Sequence, residues 1–270
     1  AASAPPSAAV ASAALPSAAL PSAVASAAVA SAAGPATAAE EPVPLSRVRR
    51  ATAAAMVASA STIPQVTEFM DVDATRTMRL LRRLRADPAY AGLRVSPLLI
   101  TAYALAQALR HYPDMNIRWD DSGPRLLRRR TVDLGIAVAT ERGLLVPHVR
   151  AAEGLTLREL AGRIGTAVAA TRDGSCTPAD LAPGSITLTN LGTLGVDSGT
   201  PLILPGETAI LALGTVRTMP WMYRGEVVPR DVVHLALTFD HRVVDGDLGA
   251  RVLTEVAESL RRPLRLLTHA

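Results

Sequence analysis

The pattern of apolar and polar positions divides the chain into a front with no stripe to bury and a body of alternating helical and strand periods. Over residues 1–41 alanine, serine and proline recur with no charge before Glu40, and the only leucines are Leu15 and Leu20. Such a segment has nothing to pack, so residues 1–41 are expected to form a flexible, semi-extended linker. Its prolines and weakly apolar residues, with no basic start, argue against a signal peptide or a membrane span. A linker in this place also implies a further segment ahead of it. Folded sequence is expected over 42–270.

Within that body, Ser46 precedes a helical stretch rich in alanine and arginine. Strand-like alternation follows, with Val66, Met70 and Val72 on one face. "TRTMRLLRRLRA" reads as an amphipathic helix, Met78, Leu81 and Leu84 opposing its arginines. A nearly continuous apolar helix begins at Ser96 as N-cap and Pro97 as first residue, and is expected to be buried. Two short strands are predicted around Ser122-Gly123-Pro124, and two more joined at Glu141-Arg142-Gly143. A helix closed by Gly174 comes next.

"GSITLTNLG" then alternates, Ile186 and Leu188 against Ser185, Thr187 and Thr189. The apolar "ETAILALGTV" is a further strand. Val233, Leu235, Leu237 and Phe239 share one face of the last strand, and an amphipathic helix ends the chain. Strands interspersed with helices, without a regular βαβ repeat, point to an α/β sandwich with a mixed sheet and flanking helices.

Composition changes this picture at three points. The net charge of +4 is too small an excess to argue for nucleic acid, and aromatic-basic interleaving is missing. The chain contains no lysine, so it cannot itself carry a lysine-linked group. One cysteine, Cys176, allows no disulfide within the chain, which fits a reducing compartment. No stretch is long and apolar enough for a bilayer, so a cytoplasmic protein without membrane partners is expected. The histidines are scattered and the cysteine is alone, so no metal site is expected.

Chemistry concentrates in two stretches. In "FDHRVVDGDLGARVL", His241 sits at the exit of a strand, where an imidazole is both held and accessible, as a general base near neutral pH must be. Spacing alone favours a strand-end histidine with Asp245 as helix N-cap. In "SITLTNLGTLGVDSGTPLILPGETAILALG", Thr189 ends the polar face of a strand, where a hydroxyl can donate to an oxyanion or simply line a solvated face. His111, His148, His234 and His269 show no partner pattern and read as structural or surface residues.

Together the two stretches resemble the dihydrolipoamide acyltransferases of 2-oxo acid dehydrogenase complexes and the related chloramphenicol acetyltransferases. The first resembles that family's HxxxDG signature. The second is similar to the run around its transition-state-stabilising hydroxyl. "PLSRVRRATAAAMVASASTIPQVTEFMDVDAT" resembles the opening of the family's catalytic domain, and "GIAVATERGLLVPHVR" its central hairpin, all in family order over about residues 43 to 265.

The resemblance implies a coenzyme A-dependent acyltransferase sandwich that exchanges an acyl group between S-acyl-dihydrolipoamide and coenzyme A. It implies His241 as base, Thr189 as oxyanion donor, and Asp245 holding the active-site loop. Gly246, Asn190 and Arg49 would support them. Lipoamide would be carried on another domain or chain, since no lipoyl lysine exists here. Homotrimers would form the site between subunits, assemble into a larger core, and serve the 2-oxo acid dehydrogenase and dihydrolipoamide dehydrogenase components. The alternatives are a free-standing acyltransferase on a small acceptor and a silent structural core subunit. The arginine runs 82–85 and 128–130 could meet coenzyme A phosphates, or be solvated faces.

Overall fold

The computed structural model describes residues 41, 43–120, 122–123 and 125–268. The expected linker over 1–41 therefore lies outside the described residues except for Glu41. Residues from Leu45 onward form one compact unit.

Helix α1 (Arg47–Thr62) starts where Ser46 accepts the Arg49 N–H at 3.2 Å. It lies on the surface, with Ser59 its one buried residue. Strand β1 (Gln65–Asp73) leads to α2 (Thr75–Ala86), which buries Leu80, Leu81 and Leu84. Helix α3 (Pro97–His111) is buried along almost its whole length, as its unbroken apolar sequence requires. Strands β2 (Ile117–Asp120) and β3 (Arg125–Arg128) form the predicted hairpin, apart from the main sheet.

The next stretch departs from expectation. It holds four short strands instead of two: β4 (Leu134–Ile136), β5 (Val138–Thr140), β6 (Gly143–Leu145) and β7 (His148–Val149). The outer two join the main sheet and the inner two make a separate hairpin. Helix α4 (Leu157–Asp173) opens on a capping box between Thr156 and Glu159, and Gly174 closes it at φ 84°.

Strands β8 (Ile186–Asn190) and β9 (Ala209–Leu213) lie parallel, and β11 (Glu226–Asp240) runs antiparallel to both β9 and β1. The order is β1-β11-β9-β8-β4-β7, and β10 (Arg217–Tyr223) pairs with the first half of β11. Between the pairs Leu213↔Leu235 and Arg217↔Val232 three residues oppose two, a bulge that bends the strand from β9 into β10. The sheet is thus mixed.

Val233, Leu235, Leu237 and Phe239, 0 to 2% exposed, turn into the helical layer, which includes α5 (Gly246–Arg261). The short α6 (Leu264–Thr268) follows. The opposite face of β1 and β11 is polar: the Thr67 and Thr238 hydroxyls meet at 2.8 Å, and His234 meets Asp71 at 2.6 Å. No described helix is long and apolar enough to cross a membrane.

Candidate active site

The last residue of β11, Asp240, is 2% exposed, and Arg242 clamps its carboxylate from Nε and Nη2 at 3.0 and 2.7 Å. The Arg242 backbone N–H donates to the same carboxylate. The guanidinium lies 5.1 Å above the Trp119 ring, tying the turn to β2. Between these two anchored residues the His241 N–H donates to the Pro64 carbonyl at 2.9 Å. Its imidazole is exposed, 6.1 Å from the Phe239 ring. The backbone is fixed and the ring is accessible, the combination a proton-transferring group needs.

Four residues on, Asp245 caps α5 by accepting the Leu248 N–H at 2.9 Å. Gly246 follows it as the first helical residue. A methyl group at Gly249 would stand 2.5 Å from Phe239, so the first turn of α5 lies directly on the end of β11. Glu68 of β1 reaches under the same turn. Burial pushes its carboxyl up, and its Oε2 lacks a hydrogen-bond partner.

Thr189 is half-buried near the exit of β8. Asn190 shapes that exit by accepting the Gly192 N–H at 3.1 Å. Two glycines meet behind it. A methyl group at Gly192 would stand 2.7 Å from the Gly214 carbonyl oxygen, and one at Gly214 1.8 Å from that of Asp197. A cavity of about 880 Å3 opens beside Asn190 and Thr193, between α3, α4 and the β4–β5 segment. Its lining is largely aliphatic, with Arg94 and Arg172 among the polar groups.

The fold brings His241, Asp245 and Gly246 together and Thr189 and Asn190 together, but keeps the two groups apart. Thr189 is in register with Ala212, and Ala212 with Ala236. His241 lies five residues beyond Ala236 and two strands across, so about 20 Å separates the two positions within one chain. Arg49 is exposed near the start of α1, about 20 Å along the helix from the His241 end, and forms no ion pair among the described residues.

Sequence reasoning missed a buried brace. His148 Nε2 meets Glu207 Oε1 at 2.6 Å with both side chains fully buried. Glu207 also accepts the Thr187 hydroxyl at 2.7 Å and the Gly184 N–H at 3.2 Å. Gly135 lets the imidazole reach across: a methyl group there would stand 2.6 Å from Thr187 Oγ1 and 2.8 Å from His148 Nε2. The Ser185–Thr187 face of β8 is therefore buried and satisfied, not solvated.

The family model described as 2-oxoacid dehydrogenases acyltransferase (catalytic domain) matches residues 37–268. The chain is 34% identical over 224 residues to a dihydrolipoyllysine-residue acetyltransferase component of the pyruvate dehydrogenase complex from Mycoplasma capricolum. That match covers 83% of this chain and 51% of the relative. It is 32% identical over 231 residues to a probable dihydrolipoyllysine-residue succinyltransferase component of the 2-oxoglutarate dehydrogenase complex from Schizosaccharomyces pombe, with coverage of 84% and 51%. The chain thus spans about half the length of the curated relatives it matches.

Among solved structures, the dihydrolipoamide acetyltransferase of Azotobacter vinelandii superposes with a TM-score of 0.80 at 29% identity, covering 84% of this chain and 94% of that one. That structure was determined to define the catalytic roles of a serine, a histidine 52 positions later, and an asparagine four further on. The cubic core of a pyruvate dehydrogenase multienzyme complex matches with the same TM-score, identity and coverage.

Proposed function

The chain belongs to the 2-oxoacid dehydrogenase acyltransferase family, as a catalytic domain, and from that premise we propose that it exchanges an acyl group between S-acyl-dihydrolipoamide and coenzyme A. The observation that carries the proposal is the His241 turn: an exposed imidazole on a backbone locked by Asp240, Arg242 and Pro64. The spacing supports the assignment. Thr189 and His241 are 52 positions apart and Asp245 follows by four, the separations of the serine, histidine and asparagine in the Azotobacter protein. Threonine keeps the hydroxyl of serine, and aspartate keeps the side-chain oxygen that caps α5.

A thiol titrating near about 8.5 is mostly neutral at pH 7, whereas the thiolate is the nucleophile. His241 takes the coenzyme A thiol proton as the sulfur attacks the thioester carbonyl. Thr189 Oγ1 donates to the carbonyl oxygen as it becomes an oxyanion. The carbon–sulfur bond to dihydrolipoamide then breaks, and His241 returns the proton to the departing sulfur. Asp245 moves no proton; it fixes the helix that follows the base. The cavity beside Asn190 offers space for an acyl-bearing arm.

With about 20 Å between the two groups in one chain, His241 of one subunit meets Thr189 of its neighbour in a homotrimer. Such trimers build the larger core that the 2-oxo acid dehydrogenase and dihydrolipoamide dehydrogenase components serve, in the cytoplasm, with lipoamide supplied by another domain or chain.

The test is acyl transfer from acetyl-, isobutyryl-, isovaleryl- and succinyl-coenzyme A to free dihydrolipoamide, with native protein and His241→Ala side by side. A fall of about 10² to 10⁴ in the variant is expected, and the preferred donor names the acyl class. A folded native assembly that transfers none of the four would sink the proposal.

A further inference from the structure

A second candidate site lies far from His241, on the outer face of α2. Arg76, Arg79 and Arg83 fall on one stripe of that helix. The end of α5 and its link to α6 bring Arg262 and Arg265 across from them. The five side chains, with Leu80, Pro263 and Leu264, line a cavity of about 370 Å3, and among the described residues its wall holds no carboxylate.

This arrangement works against the stability of the isolated chain. Like charges three and four residues apart on a helix repel. Arg76, in the first turn of α2, also faces the positive end of the helix dipole, and that turn contains no acidic residue. Arg262 is 3.8 Å from Glu258, and Arg79 and Arg83 form no ion pair among the described residues. Arg76 bonds to the Tyr223 phenol, and this bond, with the nearby Arg224 and Arg230, draws the phenol below its usual range. Tyr223 thus senses the same positive field from the neighbouring hairpin.

The chemistry of the wall defines what it would take. Guanidinium forks match phosphate oxygens in paired hydrogen bonds. From Arg76 to Arg83 the helix rises about 10 Å, a span that one phosphate or carboxylate does not fill and a chain of phosphates does. Leu80, Pro263 and Leu264 add an apolar floor suited to a nucleobase. We infer that this cavity binds the polyphosphate of a nucleotide. Gln65, in register with Asp240, and Asp73, beside α2, stand at opposite ends of β1. About 27 Å of strand lies between them, so the cavity is separate from the His241 site.

The experiment titrates ATP and inorganic tripolyphosphate into the full chain at low salt by calorimetry, which requires no transferase activity. Saturable binding is expected, weakened at least about 10-fold in the Arg79→Ala/Arg83→Ala double variant. Arg82→Ala, an exposed residue of the same helix outside the cavity, should leave it unchanged. Absence of saturable binding overturns the inference, as does an equal loss in Arg82→Ala, which would mark a diffuse charge effect. Comparing ATP with 3′-phospho-ADP separates the two sources of the phosphates. A preference of about 10-fold or more for 3′-phospho-ADP identifies the end of coenzyme A, and a preference for ATP a free nucleotide. Either result supports the site.

Discussion

Glu68 is a carboxylate held where a carboxylate is costly, beneath the first turn of α5, with its Oε2 unpartnered. Because burial raises its pKa, the folded state binds its proton more tightly than the unfolded chain, and stability falls as pH rises through the folded value. Glu68→Gln is therefore expected to raise the melting temperature at neutral pH. The gain should vanish below about pH 4, where both side chains are neutral. An equal gain at both pH values would assign the effect to packing instead. Thr189→Ala should cost about 10² to 10³ in turnover, and Thr189→Ser, which keeps the hydroxyl, should retain most of it. Glu207→Ala would strand His148, Thr187 and Gly184, at a cost of about 3 to 5 kcal/mol in denaturant unfolding. His241, Asp245 and Thr189 stand out as candidates in the sequence because they sit in contiguous motifs. The His148–Glu207 pair does not, because its members are 59 residues apart and meet only across the sheet. An imidazole over a glycine leaves no periodic trace in a sequence.

At the scale of elements, helices were easier to read than short strands. Their starts and stops are local chemistry: Ser46 before α1, the Thr156–Glu159 box before α4, Gly174 after it. The predicted hairpin around Glu141 exists, but only as β5 and β6. The flanking β4 and β7 leave it for the main sheet, a switch that Val146-Pro147 permits and alternation does not announce. The polar face of β8 was open between oxyanion chemistry and a solvated surface. Ser185 and Thr187 proved buried, because their partners come from other segments. Gly135 joins these observations. Gly135→Ala places a methyl group within 3 Å of Thr187 and His148 of the brace and of Val146, and should destabilise by about 1 to 3 kcal/mol. Gly154→Ala, where a methyl group meets nothing within 4 Å, serves as the control.

For the whole molecule, the proposed pairing of His241 with Thr189 across about 20 Å of one chain would make activity a property of an assembly. Co-refolding equal amounts of His241→Ala and Thr189→Ala chains should restore about one quarter of native activity, the share of interfaces that receive both intact residues. Sites built within single chains would give no recovery. The sheet has a temporal consequence as well. One edge of it pairs β1 with β11, and about 150 residues lie between the end of one and the start of the other. At ordinary rates of synthesis that is about 10 to 30 s during which β1 has left the ribosome with its partner unmade. Val66, Phe69 and Met70 then stand on an open edge, available to any other nascent chain nearby. The newborn protein depends in that interval on whatever shields an unpaired strand, so its yield in a cell is set partly by translation speed and chaperone supply.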